Sequence, residues 1–143
     1  MTADAKPRII LDTNTIISGV LFRGAVPRAA VQRAFDHYQV VFSAPTWDEL
    51  ADVFQRDKFD SALPRGQRYR VLAEIARRAE VIEPTSHVHD CRDPRDNKFL
   101  ALALCSQSSL IVSGDQDLLV LHPWRGVRIL SPGDFIREEH GDD

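Results

Sequence analysis

Carboxylates stand where an apolar strand ends or a helix begins in the predicted secondary structure of this chain. Asp12 and Asp115 each follow a short apolar run, while Glu49 and Asp96 fall in the first turns of predicted helices. Ligands of open parallel sheets bind at the carboxyl ends of the strands, so we expect these four side chains to converge. Two unit charges about 4 Å apart repel by about 4 kcal/mol at an effective dielectric constant near 20. A hard divalent cation with oxygen ligands would relieve that repulsion, and the pattern therefore predicts a Mg²⁺ or Mn²⁺ site.

Each acid also has a structural explanation that involves no ligand. An Asp at a strand end often caps the next helix, and a Glu in a first helical turn interacts favourably with the helix dipole. Asp93 is a natural N-cap, with Pro94 at N1 and Asp96 at N3 as in a capping box. Taken singly, the structural explanation is preferred for every acid except Asp12. No lysine or histidine occupies a matching position in these loops, and Lys98 is the nearest cation.

Alternating strands and helices would position these acids. Strands are predicted at 8–11, 40–42, 80–82, 110–112 and 127–130. Helices are predicted at 16–22, 27–37, from 43–46 onward, 66–78 and 95–106, with a helical turn at 118–121 and a last short helix after 131–134. Strands separated by helices imply parallel pairing through right-handed crossovers. We expect a three-layer α/β/α sandwich with a parallel central sheet of about five strands, forming one domain over residues 1–143 with its core at about 8–137.

Composition excludes several classes of protein. Hydrophobic residues make up 43% of the 143 residues and charged residues 27%, which is typical of a globular chain and not of a disordered one. The net charge of −3 argues against a globally basic nucleic-acid coat. Apolar runs are far shorter than the roughly 20 residues of a membrane helix, and the first residues contain no apolar signal segment. Cys91 and Cys105 are expected to be reduced thiols, which predicts a cytoplasmic protein without a membrane segment.

Arginines are concentrated in the helix predicted at 66–78, and two aromatic residues mark the helix before it. The cluster comprises Arg65, Arg68, Arg70, Arg77 and Arg78. It would hold an RNA backbone or an acidic partner segment, unless it is a solvated helix face. On the same helix Tyr69, Leu72, Ile75 and Ala76 are predicted to point inward. Trp47 and Phe54 would serve the core or a dimer contact.

Other enzymes with an Asp after the first strand fit less well. A haloacid-dehalogenase-like phosphatase needs Asp-x-Asp-x-Thr, and here Asn14 stands at the second acid. A receiver domain needs a lysine late in the sheet, but none follows Lys98. A P-loop enzyme is excluded because Gly-x-x-x-x-Gly-Lys is absent.

Four sequence motifs resemble those of the PIN-domain family of metal-dependent ribonucleases, from about Arg8 to Leu130. They are Ile-Leu-Asp-Thr-Asn-Thr-Ile-Ile-Ser at 10–18, Ser-Ala-Pro-Thr-Trp-Asp-Glu-Leu at 43–50, Asp-Pro-Arg-Asp-Asn-Lys-Phe-Leu-Ala-Leu-Ala at 93–103 and Val-Ser-Gly-Asp-Gln-Asp-Leu-Leu at 112–119. The resemblance implies metal ligation by Asp12, Glu49, Asp96 and Asp115, with Asn14, Asp93, Ser113 and Asp117 as supporting residues. Asp93 and Asp96 compete for one family position. Asp96 is chosen because Ala101 and Ala103 follow it at the family spacing.

The resemblance also implies an activity and partners. It implies an endoribonuclease that uses Mg²⁺ or Mn²⁺ to activate water, leaving a 5′-phosphate and a 3′-hydroxyl without a histidine pair. For a short bacterial-type chain it implies the toxin of a toxin–antitoxin pair, with RNA as substrate, a cognate antitoxin as partner, and a homodimer or higher oligomer. The alternatives are a catalytically silent PIN-like module that binds RNA or protein, or a haloacid-dehalogenase-like phosphatase.

Overall fold

Five short parallel strands form one sheet at the centre of the molecule. The structure is a computed structural model and describes residues 6–22 and 24–141. The strands are β1 (Arg8–Leu11), β2 (Gln39–Phe42), β3 (Glu80–Val81), β4 (Leu110–Val112) and β5 (Arg128–Leu130), in the spatial order β3-β2-β1-β4-β5. All four neighbouring pairs are parallel. The predicted parallel sheet of five strands is therefore confirmed.

Helices cover both faces of the sheet. They are α1 (Thr13–Leu21), α2 (Ala25–His37), α3 (Ala44–Phe54), α4 (Arg65–Arg78), α5 (Asn97–Ser106), α6 (Gln116–Leu119) and α7 (Pro132–Gly141), with 3-10 turns at Asp57–Phe59 and Pro94–Asp96. Alternate residues of β1 point to opposite faces, so Ile9 and Leu11 pack with the α1, α2 and α4 side, whereas Ile10 packs with α5. This arrangement confirms the α/β sandwich. No helix among the described residues is long and apolar enough to cross a membrane.

The central strand β1 brings distant parts of the chain to one edge of the sheet. It pairs with β4 in the register Leu11↔Val112, and the Asp12 N–H extends that ladder to the Val112 carbonyl at 3.1 Å. Because the two strands are parallel, the residues that follow each of them emerge side by side. Asp12 and the segment from Ser113 therefore meet although about a hundred residues separate them in sequence.

Helices α1 and α2 approach each other closely at Gly19. A Cβ atom at this position would lie 2.6 Å from Val31 Cγ2 and 2.7 Å from the Pro27 carbonyl oxygen. Real Cβ contacts do not become that short, and the backbone oxygen cannot rotate away as a side chain can. The absence of a side chain at Gly19 therefore sets the spacing of this helix pair.

Helix α4 buries an arginine where an aromatic residue was expected. Its inward positions are Arg68, Leu72 and Ile75, while Tyr69 is 60% exposed and Ala76 is exposed. Arg68 is fully buried; its Nη1 donates to the Phe54 and Arg56 carbonyl oxygens at 2.8 and 2.9 Å, and its Nη2 pairs with Asp60. The predictions that Tyr69 and Ala76 point inward, and that Arg68 belongs to a surface cluster, were wrong. Here hydrogen bonds to carbonyls replace the water that a guanidinium normally requires.

Much of the remaining predicted basic surface is paired within the chain. Arg65 pairs with Asp57, Arg77 with Glu74, and Arg78 lies 3.9 Å from Asp36. Phe54 is fully buried, which removes it from any dimer contact, and the partly buried Trp47 packs edge-on against Phe42 with ring centroids 5.2 Å apart. Cys91 and Cys105 are both free.

Candidate functional site

Asp12 is held rigidly at the junction between β1 and α1. Its Oδ1 accepts the Thr15 backbone N–H at 2.8 Å as the N-cap of α1, and its Oδ2 accepts the Ser113 hydroxyl at 2.5 Å. Only 6% of the residue is exposed. Burial raises the pKa of Asp12, although the hydrogen bonds from Ser113 and Thr15 oppose that shift. The carboxylate is thus oriented from two strand ends at once.

Ser113 lies beneath Asp12 and joins the two strand ends. It is fully buried, and its Oγ accepts the Asp115 backbone N–H at 2.9 Å while it donates to Asp12. Asp115 in turn caps α6, because its Oδ1 accepts the Asp117 N–H at 2.9 Å. Asp117 therefore joins this network through its backbone. One serine hydroxyl sets the relative position of Asp12 and Asp115.

Asp96 faces Asp115 across the opening of the sheet. Burial, a hydrogen bond with Asp115 and the nearby Asp115 charge raise the pKa of Asp96 to about 7. Burial and the Asp115 charge both disfavour the ionised form of Asp96. The Asp96 Oδ2 atom is buried and has no hydrogen-bond partner. An orphaned carboxylate oxygen beside a second carboxylate calls for a positive ligand.

The Asp93 carboxylate is bound by its own turn. It caps the 3-10 turn Pro94–Asp96 by accepting the Arg95 N–H at 3.0 Å, and it forms an ion pair with the Arg95 guanidinium at 2.8 Å. These bonds lower the pKa of Asp93. The structure thus places Asp93 at the cap, where the sequence predicts it, and leaves the Asp96 carboxyl turned toward Asp115.

Glu49 pairs with Lys98, the cation that the sequence places nearest to the acids but not beside Glu49. Its Oε1 accepts the Thr13 hydroxyl, and its Oε2 lies 2.6 Å from the Lys98 ammonium. The expectation that no lysine lies among the acids is wrong for Glu49. Lys98 follows Asp96 by two residues, but it reaches Glu49 because α5 packs against α3. Only this tertiary contact, which one sequence does not reveal, identifies Thr13 and Lys98 as site residues.

The four predicted acids open into a single cleft of about 440 Å³. Asp12, Glu49, Asp96 and Asp115 line it together with Asp93 and the exposed Asn14. Within the described residues, no ion pair joins Asp12, Asp96 or Asp115 to a basic side chain. Three of the four acids are therefore brought together without a compensating cation, while the fourth, Glu49, is paired.

The donors in this cleft suit a hard divalent ion. They are carboxylate oxygens, which Mg²⁺ and Mn²⁺ prefer, and the buried Asp96 Oδ2 has no hydrogen-bond partner. Among the residues that the structure describes, however, no three His, Cys, Asp or Glu side chains are already arranged as a metal site. Ion binding would therefore require rotation of these side chains.

Comparison with known proteins identifies relatives of the whole fold. A family model described as PIN domain matches residues 8–117. The uncharacterised protein MJ1680 of Methanocaldococcus jannaschii is 24% identical, over 93% of this chain and 92% of its own length.

Solved structures with the same fold have little sequence identity to this chain. VapBC2 from Rickettsia felis, crystallised with a DNA fragment from the promoter, superposes with a TM-score of 0.60 at 10% identity, covering 87% of this chain and 98% of that one. PAE2754 from Pyrobaculum aerophilum gives 0.60 at 13% identity, covering 96% and 94%. VapBC-1 from nontypeable Haemophilus influenzae gives 0.55 at 15% identity, covering 88% and 98%. At such low identity these likenesses concern the fold.

Proposed function

The chain belongs to the PIN-domain family, and from that premise we propose that it is a Mg²⁺- or Mn²⁺-dependent endoribonuclease that acts as the toxin of a toxin–antitoxin pair. The observation that carries this proposal is the opening of Asp12, Asp96 and Asp115 into one cleft without a basic partner. PIN domains are generally nucleases, and metal-dependent phosphodiester hydrolysis needs acidic side chains that hold the ion.

Three aspartates would hold the metal, and Glu49 would stand next to it as a fourth carboxylate. When bound, a divalent ion lowers the pKa of water and neutralises charge that develops on the phosphate. Asp12 presents a carboxylate that Ser113 and Thr15 hold in one orientation, so little ordering remains to be done on binding. Asp96 must be ionised to hold the metal, and its raised pKa opposes that ionisation.

The other cleft residues have roles that follow from their contacts. Each Glu49 oxygen is engaged by Thr13 or Lys98 but retains a lone pair, so Glu49 can accept a hydrogen bond from the attacking water and orient it. Asn14 is exposed at the cleft and offers an amide N–H to a phosphate oxygen. In-line attack by water leaves a 5′-phosphate and a 3′-hydroxyl, and the scattered histidines are not needed.

The toxin role and its partners rest on likeness. Two of the solved relatives are VapBC assemblies, which supports an antitoxin as the partner of this chain. A homodimer or higher oligomer is part of the same proposal, as is a cytoplasmic location, where RNA substrates are available.

Cleavage of RNA by two cleft variants tests the proposal. Asp12→Asn and Asp115→Asn should each lower Mg²⁺- or Mn²⁺-dependent cleavage by orders of magnitude, because the amide lacks the charge that the ion requires. Asp48→Asn, an exposed change beside Glu49 on α3, is the matched control and should cut like the wild type. Circular dichroism confirms that each variant folds.

Two results would contradict this function. Normal cleavage by both variants would show that catalysis does not need the Asp12 and Asp115 carboxylates. A wild-type protein that binds RNA but leaves it uncut with either ion would instead favour a silent binding module.

A further inference from the structure

Ion pairs surround the three unpaired aspartates of the cleft. They are Arg56–Asp52 at 3.4 Å, Arg95–Asp93 at 2.8 Å and Lys98–Glu49 at 2.6 Å. Each couples one cation with one of the remaining carboxylates of the cleft. The surplus negative charge is consequently confined to Asp12, Asp96 and Asp115, and three cations stand around it.

Two of these cations have largely exposed side chains, and the third, Lys98, lies at the border of the cleft. The Arg56 and Arg95 side chains are 52% and 84% exposed, and exposed ion pairs contribute little to stability. Lys98 is more enclosed, but it also lines a neighbouring groove of about 360 Å³ beside His87. The Arg56 carbonyl accepts a hydrogen bond from buried Arg68, while the Arg56 side chain is half exposed and pairs with the exposed Asp52.

A polyanion that enters an acidic cleft needs cations close to the acids. The α4 arginines do not meet that need, since none of them lines the cleft and Arg68 is buried. Arg56 and Arg95 line the cleft itself, and Lys98 reaches it through Glu49. Guanidinium groups bind phosphate through paired N–H donors as readily as they bind carboxylate.

We propose that Arg56, Arg95 and Lys98 exchange their carboxylate partners for backbone phosphates of the bound RNA strand. This inference rests on the proposed nuclease function and names the residues that hold its substrate. No covalent step is involved: each cation leaves Asp52, Asp93 or Glu49 and donates to a phosphate oxygen. Glu49 then keeps its hydrogen bond from Thr13 and gains a second lone pair on Oε2 for water.

The salt dependence of RNA binding tests this exchange. The probe is a fluorescein-labelled oligouridine, titrated by fluorescence anisotropy over a series of KCl concentrations in EDTA and again in Ca²⁺, with RNA integrity checked on a gel. Each phosphate contact in single-stranded RNA contributes about 0.7 to the slope of log K against log salt. Arg56→Gln, Arg95→Gln and Lys98→Gln should each lower the slope by about 0.7, and the triple variant by about 2.

Two further variants separate phosphate contact from general charge or misfolding. Arg77→Gln removes an arginine from a comparable exposed pair with Glu74 outside the cleft and should leave the slope unchanged. Lys98→Arg keeps the cation and should retain the wild-type slope, even where Lys98→Gln unfolds.

Each outcome decides the matter. Unchanged slopes in the three glutamine variants, an equal fall in Arg77→Gln, or no RNA binding by the wild type in either buffer would overturn the inference. Wild-type cleavage of RNA is measured separately. Reduced slopes together with no cleavage would uphold the phosphate contacts while overturning the nuclease proposal, whereas cleavage with unchanged slopes would do the reverse.

Discussion

At the scale of single residues, one buried hydroxyl determines how two carboxylates face each other. Ser113 donates to Asp12 and accepts from the Asp115 backbone, so its loss would free both. Groups that orient a metal ligand commonly change activity or metal affinity by about 10- to 100-fold when removed. The position of Asp12 and Asp115 therefore depends on a residue that does not line the cleft.

Replacing this serine should reduce cleavage without unfolding the protein. We expect Ser113→Ala to lower kcat/KM for RNA cleavage by about 10- to 100-fold, because Asp12 loses its donor and Asp115 its backbone acceptor. The measurement is steady-state cleavage, with a thermal melt to verify folding. Ser109→Ala serves as the control, since the hydroxyl of the exposed Ser109 donates to the Arg8 carbonyl and does not contact the acids of the cleft. Equal rates for wild type and Ser113→Ala would refute this role.

The stability of the protein without added metal should depend on pH through Asp96. Its pKa is raised from 3.8 to about 7 on folding. Between those values the folded protein keeps a proton that the unfolded chain has lost, so the free energy of unfolding falls as pH rises. Burial raises the pKa of Asp12 as well, and its effect has the same sign.

Thermal melts in EDTA over this pH range measure the effect. The wild-type melting temperature should decrease from mildly acidic to neutral pH, and Asp96→Asn should decrease less because its side chain does not ionise. Identical pH profiles for the two proteins would show that the Asp96 carboxyl does not hold the extra proton.

At the scale of elements, the α1–α2 contact depends on the missing side chain of Gly19. Gly19→Ala should destabilise the protein by about 1 to 3 kcal/mol, since its methyl would overlap the Pro27 carbonyl oxygen. Gly66→Ala in α4 is the matched control: no atom lies within 4 Å of its Cβ, and we expect a gain of about 0.5 kcal/mol. Urea unfolding gives both values. If Gly19→Ala left the free energy of unfolding unchanged, α1 and α2 would be able to move apart without cost.

Elements were more predictable from sequence than the contacts between them. The strands β1 and β4 are apolar at every buried position, and Asp12 and Asp93 are typical caps, so local sequence was sufficient for these features. Arg68 has the same helical spacing to Leu72 and Ile75 as an apolar residue would have, but its charge suggested solvent. Its burial depends on carbonyls of Phe54 and Arg56, which the sequence does not place nearby.

For the site residues too, the sequence indicated positions at element ends but not the side-chain contacts between elements. Asp12, Glu49, Asp96 and Asp115 were recognisable because each ends or begins an element, and the order of elements in a parallel sheet brings such positions together. Lys98 and Thr13 were not recognised, because their importance lies in the side chain that each meets across the packing of α3, α5 and α1. The metal-binding roles of the four acids stay a prediction.

At the scale of the whole molecule, a bound divalent ion would link segments distant in sequence. Mg²⁺ or Mn²⁺ should therefore raise the melting temperature, since a ligand at a hundred times its Kd stabilises the folded state by about 2.7 kcal/mol. Asp12→Asn should abolish this shift, and Asp48→Asn should preserve it. Differential scanning fluorimetry at constant ionic strength provides the measurement. An equal shift in Asp12→Asn would place the ion elsewhere.

The pairing of β1 with β4 has a consequence for how the protein is made. Asp12 leaves the ribosome early, but its partners Ser113 and Asp115 are translated about a hundred residues later, and the β5 strand that flanks them later still. A nascent chain, or a fragment released by premature termination before β4, lacks both Asp115 and the Ser113 hydroxyl that orients Asp12. The pairing of Asp12 with Ser113 can thus form only after nearly all of the polypeptide has been translated.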